Sequence, residues 1–278
     1  MTSNAPLSPP SAHSPDSQNS REKFPAPSLS LGETVLQAVR MVVGWTLTLT
    51  FWTVLIVLNY VSLNGILGRK RDRLHRITRW WGSSALRVLG MPIRSEVRAP
   101  LDTTEARVVV CNHQSALDLI WGATICPPRP LVIGKKEVLF IPIINLIFFA
   151  FHFIRIDRSN SEKAIASLRG VAEEIRTHRR SLVLAPEGTR TRNGSLLPFK
   201  KGAFHIAIEA QCPIVPVVVD GAFQSMPKGK FIPRPGKLKL IVLEPISTQG
   251  MDLSQVTVLR DRVHTAMLEA LQKLRAET

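Results

Sequence analysis

Residues Arg107–Asp118 read RVVVCNHQSALD. Arg107–Cys111 is a short β-branched run, the composition of a strand. Ser115 is a natural helix N-cap. The chain therefore passes from a strand ending at Cys111, through a polar turn, into a helix that carries Asp118 in its first turns. The same alternation continues downstream. Phe153–Ile156, Ser181–Ala185, Ile214–Val219 and Lys237–Leu243 read as strands, while Ser161–His178, Gly202–Gln211 and Leu253–Arg275 carry helical apolar periods. Strands separated by helices predict an α/β domain over residues 99–278, with a mixed, largely parallel sheet flanked by helices. Pro216, inside a predicted strand, points to an edge or a bulge.

Upstream of this domain the composition changes twice. Residues 1–30 hold six prolines and eight serines and almost no long apolar side chain before Phe24. Such a stretch cannot bury enough surface to offset its chain entropy, so residues 1–34 are predicted to be a disordered tail. From Met41 to Gly68 there is no charged residue, and the most apolar part, Met41–Leu58, is 18 residues long. At about 1.5 Å per helical residue it barely crosses a hydrocarbon core of about 30 Å, or it forms half of a helical hairpin within it. It starts too far into the chain, and runs too long, for a cleaved signal peptide. Arg69, Lys70, Arg71, Arg73, Arg76 and Arg79 follow at once. That cationic flank places the downstream domain on the cytoplasmic side of a membrane, with a bacterial inner membrane as the expected setting. Leu74, Ile77, Trp81, Ala85 and Val88 recur at helical steps, with Trp80 and Trp81 near the headgroups of an interfacial helix. Residues 35–98 are thus expected to be a membrane-inserting helix plus a basic amphipathic helix.

The 278-residue chain carries 36 Lys+Arg against 21 Asp+Glu, a net charge of +15. Anionic partners follow: an acidic membrane, phosphorylated small molecules, an acidic carrier protein or nucleic acid. A single tyrosine, the lack of zinc-finger spacing and the membrane-like segment argue against nucleic acid. Three cysteines, Cys111, Cys126 and Cys212, make an odd set without paired spacing. They supply neither a disulfide framework nor a metal pattern.

Three polar clusters lie at strand ends. In Asn112-His113-Gln114-Ser115-Ala116-Leu117-Asp118, a carboxylate in the first helical turns can reach back to one imidazole nitrogen. It then fixes the tautomer and makes the other nitrogen a base for a hydroxyl. A helix-capping histidine and a metal pair are the bland alternatives, the second weakened by the lack of further spaced ligands. In Ala185-Pro186-Glu187-Gly188-Thr189-Arg190, Gly188 lets backbone amides approach a ligand and Arg190 presents a planar fork to phosphate oxygens. Glu187 either steadies that guanidinium or meets the hydroxyl side of a substrate, and a Glu–Arg pair bracing a turn is the alternative. In Phe153-Ile154-Arg155-Ile156-Asp157-Arg158, arginines leave a strand end and on their own suggest a surface ion pair. Cys111, at a strand end, reads as a small buried hydrophobe, and no Gly-x-Ser-x-Gly elbow is present.

In this order the three clusters, joined by Cys212-Pro213-Ile214-Val215-Pro216-Val217-Val218-Val219, resemble the conserved blocks of the glycerolipid acyltransferases. The resemblance is to the PlsC-like 1-acyl-sn-glycerol-3-phosphate (lysophosphatidic acid) acyltransferases. It covers roughly residues 75–245, with Ala185 where that family often has Phe. It implies the glycerolipid acyltransferase fold behind an N-terminal hydrophobic helix or helical hairpin. It also implies transfer of a fatty acyl group from a thioester to the sn-2 hydroxyl of lysophosphatidic acid, giving phosphatidic acid.

On that resemblance His113 is the general base and Asp118 its orienting partner. Arg190, with Gly188 and Thr189, holds the acceptor phosphate, Glu187 the glycerol end, and Arg155 and Arg158 are further phosphate contacts. Amides at the helix start beyond His113 are candidates for the oxyanion. No metal or cofactor is expected; acyl-CoA or acyl carrier protein serves as co-substrate, and membrane lipids and lysophosphatidic acid are the other partners. Val138–Ile154, uncharged for 17 residues, is expected to be a helix plus strand lining an acyl-chain groove or facing the bilayer. A second membrane crossing there would put the clusters on opposite sides. Rival readings are acylation of glycerol-3-phosphate or another lysolipid, and a non-catalytic membrane lipid-binding protein.

Overall fold

The computed structural model describes residues 30–62, 74–134, 152–155 and 161–277. Nearly all of the expected tail, the cations at Arg69, Lys70, Arg71 and Arg73, the apolar segment 138–151 and Arg158 lie outside the described residues. The elements, in chain order, begin with α1 (Leu31–Ser62), α2 (Leu74–Val88), β1 (Ile93–Val97), β2 (Val108–Cys111) and α3 (Asp118–Thr124). Next come β3 (Pro130–Gly134), β4 (His152–Arg155), α4 (Ser161–His178), β5 (Ser181–Leu184) and α5 (Gly202–Ala210). The chain continues through β6 (Ile214–Asp220), the short α6 (Ala222–Ser225) and β7 (Leu238–Val242), and a 3-10 turn leads into α7 (Val256–Ala276).

The seven described strands form one sheet in the order β1-β7-β6-β2-β5-β3-β4. Only the β6–β7 pair is antiparallel, so the sheet is mixed and largely parallel. Successive side chains of a strand point to opposite faces, and both faces are covered. Val108, Val110, Leu182, Ile214 and Val218 pack with α4, α5 and α7. Val109, Cys111, Val215, Val217 and Val219 pack on the other side with residues of α2 and α3. This explains why Val108–Cys111 is apolar at every position rather than at alternate ones.

Two strands escape the sequence patterns. β1 is the edge strand IRSEV, with four of its five residues exposed, so it has no apolar alternation to read. It nonetheless pairs with β7 over Ile93–Val97, and the sheet therefore begins before the expected boundary at residue 99. β3 is short and opens on Pro130. Pro216 departs from expectation, since β6 is central, not an edge. Its carbonyl accepts the Leu243 amide at 2.9 Å, so its missing N–H also faces β7. The β6–β7 ladder runs only from Val217 onward, so no donor is lost to β2.

α1 and α2 form an antiparallel hairpin. Phe51 stacks on Trp81 with centroids 6.4 Å apart, while the Gln37 amide nitrogen donates to the Leu89 carbonyl at 2.9 Å. The inward stripe of α1 contains Gln37 and Thr48, buried at 1% and 5% exposure, and Gly44, which faces Leu89. Its outward side carries exposed Val35, Leu36, Val39, Val42, Val43 and Leu47. A helix with polar and small residues inward and valine and leucine outward reverses the pattern of a water-soluble surface helix. The segment Leu31–Phe51 is long and apolar enough to cross a membrane, by length and composition.

α2 is less free than an interfacial helix. Its buried side runs through His75, Thr78, Trp81, Ala85, Leu86 and Leu89, while Ile77 and Trp80 remain exposed. Of the predicted stripe through Leu74, Ile77, Trp81, Ala85 and Val88, Trp81 and Ala85 are buried and Ile77 is exposed; His75, Thr78 and Leu86 join the packed side because α2 lies against α3 as a layer of the α/β domain. A Cβ at Gly82 would come within 2.9 Å of both Ala123 Cβ and the Ile120 carbonyl oxygen. Gly82→Val wedges α2 from α3 and is expected to lower stability by about 2–3 kcal/mol, read as a drop in thermal midpoint in detergent. An unchanged midpoint would show that the two helices separate freely.

Candidate active site

The chain leaving β2 crosses to β3 on one side, whereas the chain leaving β5 crosses back to β6 on the other. In parallel sheets such a reversal opens a crevice at the carboxyl ends of the strands. β2 and β5 are neighbours, with Val110 opposite Leu184, so the segments that follow them emerge side by side. One carries His113 and Asp118, the other Glu187 to Arg190.

Asp118 is the first residue of α3 and folds back over the turn. Its Oδ2 lies 2.6 Å from His113 Nδ1. The Gln114 and Ser115 amides donate to the same carboxylate at 2.9 and 3.1 Å, and Trp121 Nε1 donates to Oδ1 at 2.7 Å. A carboxylate that accepts three N–H groups is held in its acceptor-only form, so the proton between the two side chains sits on Nδ1. His113 Nε2 is left with its lone pair, on a side chain one-third exposed (33%), beside an Asp118 side chain only 11% exposed. Ser115 caps differently from expectation: its hydroxyl accepts the Leu117 amide and donates to the Met226 carbonyl at 2.7 Å. The Gln114 and Ser115 amides, candidates for the oxyanion, are already engaged by Asp118.

The strand-end turn is held rigidly. Asn112 exchanges two hydrogen bonds of 2.8 Å with the Val219 backbone. Asn112 and Trp121 are positioning groups that sequence reasoning missed. A tryptophan three residues after a helical aspartate is a readable signal, since i and i+3 share a face.

Glu187 stands elsewhere than predicted. It is buried, at 3% exposure. Its Oε1 accepts the His113 amide at 2.7 Å and its Oε2 the Leu197 amide at 3.0 Å. Both oxygens are thereby committed to backbone, and it forms no ion pair with Arg190. Glu187 braces the turn that presents His113. Burial pushes its carboxyl up to about 7, against the lowering effect of the His113 and Leu197 amides. A folded-state value above the unfolded one gives stability that is present in acid and lost as pH rises. The stability of the native chain, measured against Glu187→Gln, is therefore expected to fall between about pH 4.5 and 7 and to level off beyond. A flat difference across that window would contradict this burial effect.

The remainder of the second cluster follows Glu187 round the same turn. Gly188 has φ +69°, and a Cβ there would sit 2.9 Å from Lys200 Nζ. This left-handed turn lets the lysine lie across it. Thr189 is exposed and Arg190 partly buried, and Arg190 makes no hydrogen bond or ion pair among the described residues. One residue on, the Thr191 amide donates to the His113 carbonyl at 2.9 Å, which joins the two clusters directly. Arg155 ends β4 at the same edge of the sheet. Its strand is three places from β2, roughly 14 Å at the usual strand spacing, so Arg155 stands apart from His113. Cys111 is buried, with its thiol pushed far up by burial and then by Asp118 and Glu187, the opposite of an activated nucleophile.

A cavity of about 340 Å³ opens beside this edge. Gly44, Trp45 and Thr48 of α1, Trp81 of α2, Leu89 just after it and Leu117 just before α3 supply walls, while Ala116 and Arg190 bring it to the His113 turn. Most of the expected groove segment 138–154 lies outside the described residues.

The profile of the family described as Acyltransferase matches residues 93–220. The chain is 39% identical over 186 residues to the 1-acyl-sn-glycerol-3-phosphate acyltransferase alpha of Mus musculus, covering 66% of this chain and 65% of that protein. It is 32% identical over 190 residues to the 1-acyl-sn-glycerol-3-phosphate acyltransferase of Limnanthes douglasii, covering 68% and 67%. The match thus spans about two thirds of these relatives' lengths, slightly less in the mammalian one. The fold is that of the 1-acyl-sn-glycerophosphate (LPA) acyltransferase, PlsC, of Thermotoga maritima, with a TM-score of 0.72 and 22% identity over 87% of this chain and 99% of that one.

Proposed function

The chain belongs to the family of the 1-acyl-sn-glycerol-3-phosphate acyltransferases, and from that premise we propose that it transfers a fatty acyl group from a thioester to the sn-2 hydroxyl of lysophosphatidic acid, giving phosphatidic acid. The observation that carries the reading is the His113–Asp118 pair, 2.6 Å apart with Nε2 free, beside an apolar cavity that Arg190 also lines. The base, the cation and the lipid-sized space meet at one sheet edge.

His113 Nε2 takes the proton of the acceptor hydroxyl as its oxygen attacks the thioester carbonyl. The tetrahedral intermediate collapses with cleavage of the carbon–sulfur bond, and the imidazolium returns its proton to the departing thiolate. Asp118 keeps Nδ1 protonated and balances the transient charge. No acyl-enzyme forms, in keeping with a Cys111 thiol that burial keeps neutral. Arg190 pairs with the acceptor phosphate through its planar fork, and the cavity between α1, α2 and α3 receives an acyl chain. The donor rides on coenzyme A or acyl carrier protein, both acidic and suited to a chain of net charge +15. The reversed polarity of α1 supports a place at the membrane, and the cationic flank after it supports the cytoplasmic face.

The test is incubation of the purified protein with labelled lysophosphatidate and a panel of thioesters, with glycerol-3-phosphate in competition. Phosphatidate should form, and a preference for glycerol-3-phosphate would overturn the acceptor assignment. Arg190→Ala is expected to raise KM for lysophosphatidate by about 10-fold or more, the worth of a charge-assisted hydrogen bond, with kcat and the donor KM changing less. Weakened donor binding alone would move the phosphate site elsewhere.

A further inference from the structure

Residues 226–237, between α6 and β7, read MPKGKFIPRPGK, with four cations and no acid. Phe231 at its tip is 86% exposed, and Ile232 beside it is also exposed. The loop is a wall between two cavities. One is the apolar cavity beside Arg190. The other, about 390 Å³, is bounded by Thr34 in the first turn of α1 and by Ser225, Lys230, Phe231 and Arg234. The Arg234 amide is fixed on the Ser225 carbonyl at 2.8 Å, while its side-chain Nη1 is shut away from solvent with no acceptor among the described residues. A buried guanidinium nitrogen without a partner bears its desolvation penalty, and the same cationic side chain lines the cavity, where an anion would balance its charge. Phe231 shares this cavity with Thr34, so the loop tip lies beside the first turn of α1. Apolar side chains set among cations are the composition of a segment that enters an anionic bilayer surface.

We propose that this loop is a second lipid-recognition element, distinct from the acceptor site. Phe231 and Ile232 enter the bilayer interface, and Arg234 with Lys230 holds the phosphodiester headgroup of an anionic, non-substrate glycerophospholipid in the 390 Å³ cavity. The root of the loop is tied to the catalytic turn, since Ser115 Oγ donates to the Met226 carbonyl at 2.7 Å. Seating a headgroup therefore steadies the shared wall of the apolar cavity and raises turnover on anionic membranes. The effect on turnover rests on the proposed reaction; the headgroup binding does not.

The experiment uses the intact chain in nanodiscs of phosphatidylcholine, with and without phosphatidylglycerol. Phe231→Cys carries an environment-sensitive fluorophore, and Cys111, Cys126 and Cys212 are buried and stay unlabelled. The emission should shift to the blue, and be quenched by a lipid-borne nitroxide, as phosphatidylglycerol is added. Arg234→Gln and, separately, Lys230→Gln should each raise the phosphatidylglycerol content needed by about five-fold. Equal emission in both kinds of nanodisc, or midpoints unmoved by either substitution, overturns the proposal. Inorganic phosphate added to pure phosphatidylcholine discs should leave the emission unchanged; a shift there would make this a simple anion site and overturn the lipid assignment. The fluorescence needs no turnover. A shift in an inactive protein would therefore sink only the reaction, and an active protein without a shift would sink only the loop.

Discussion

Replacing His113 with alanine is expected to cut the rate of phosphatidate formation by about 10²–10⁴-fold or more while leaving the fold in place. The imidazole is one-third exposed, and its bond to Asp118 is one of several that the carboxylate makes. The Gln114 and Ser115 amides and the Trp121 indole remain on Asp118 when the ring is gone. The thermal midpoint should hold while turnover falls to background. A variant retaining a tenth of the native rate would remove His113 from the chemistry.

Asp118→Asn should lose activity to a similar or greater extent and, unlike His113→Ala, should also lose stability. The native carboxylate faces donors on every side. An asparagine turns an amide N–H₂ toward at least one of them and leaves a buried donor unpaired, at a cost of about 1–3 kcal/mol. It also removes the preference for a proton on Nδ1, so the base nitrogen is partly lost. In the Ser–His–Asp triad the equivalent change lowers kcat by about 10⁴, and a fall of that order is expected here. Paired measurements of turnover and thermal midpoint separate the two variants. An Asp118→Asn protein as active as the native one would mean that the imidazole needs no orienting partner.

The parts of this site carried by short-range chemistry were legible in the chain. Val108–Cys111 followed by His113 and Asp118 contains its strand, its turn and its base within a dozen residues, and the hydrogen bond between the side chains spans five positions. Gly188 likewise showed its turn by residue type. The bracing role of Glu187 was hidden because its partners, the His113 and Leu197 amides, lie 74 and 10 residues away. The Asn112 clamp on Val219 was hidden by a separation of 107 residues. β1 was invisible because an exposed edge strand needs no apolar face, and His75 and Thr78 were missed on the packed side of α2 because they find partners or cover from other elements. His75, for instance, meets Asp102 at 2.9 Å. Pattern reading recovers what an element must bury by itself, and misses what the assembled sheet buries for it.

The hairpin of α1 on α2 links two properties that are usually engineered apart. A chain trimmed to begin after Ser62 would shed the greasy exterior that demands detergent, and would handle more easily in water. It would also lose Gly44, Trp45 and Thr48, one entire wall of the apolar cavity, leaving an open trough where a tail is to be gripped. If the proposed reaction holds, such a trimmed chain should accept short-chain, soluble substrates in preference to long ones, so ease of handling and chain-length selectivity would trade against each other through a single helix.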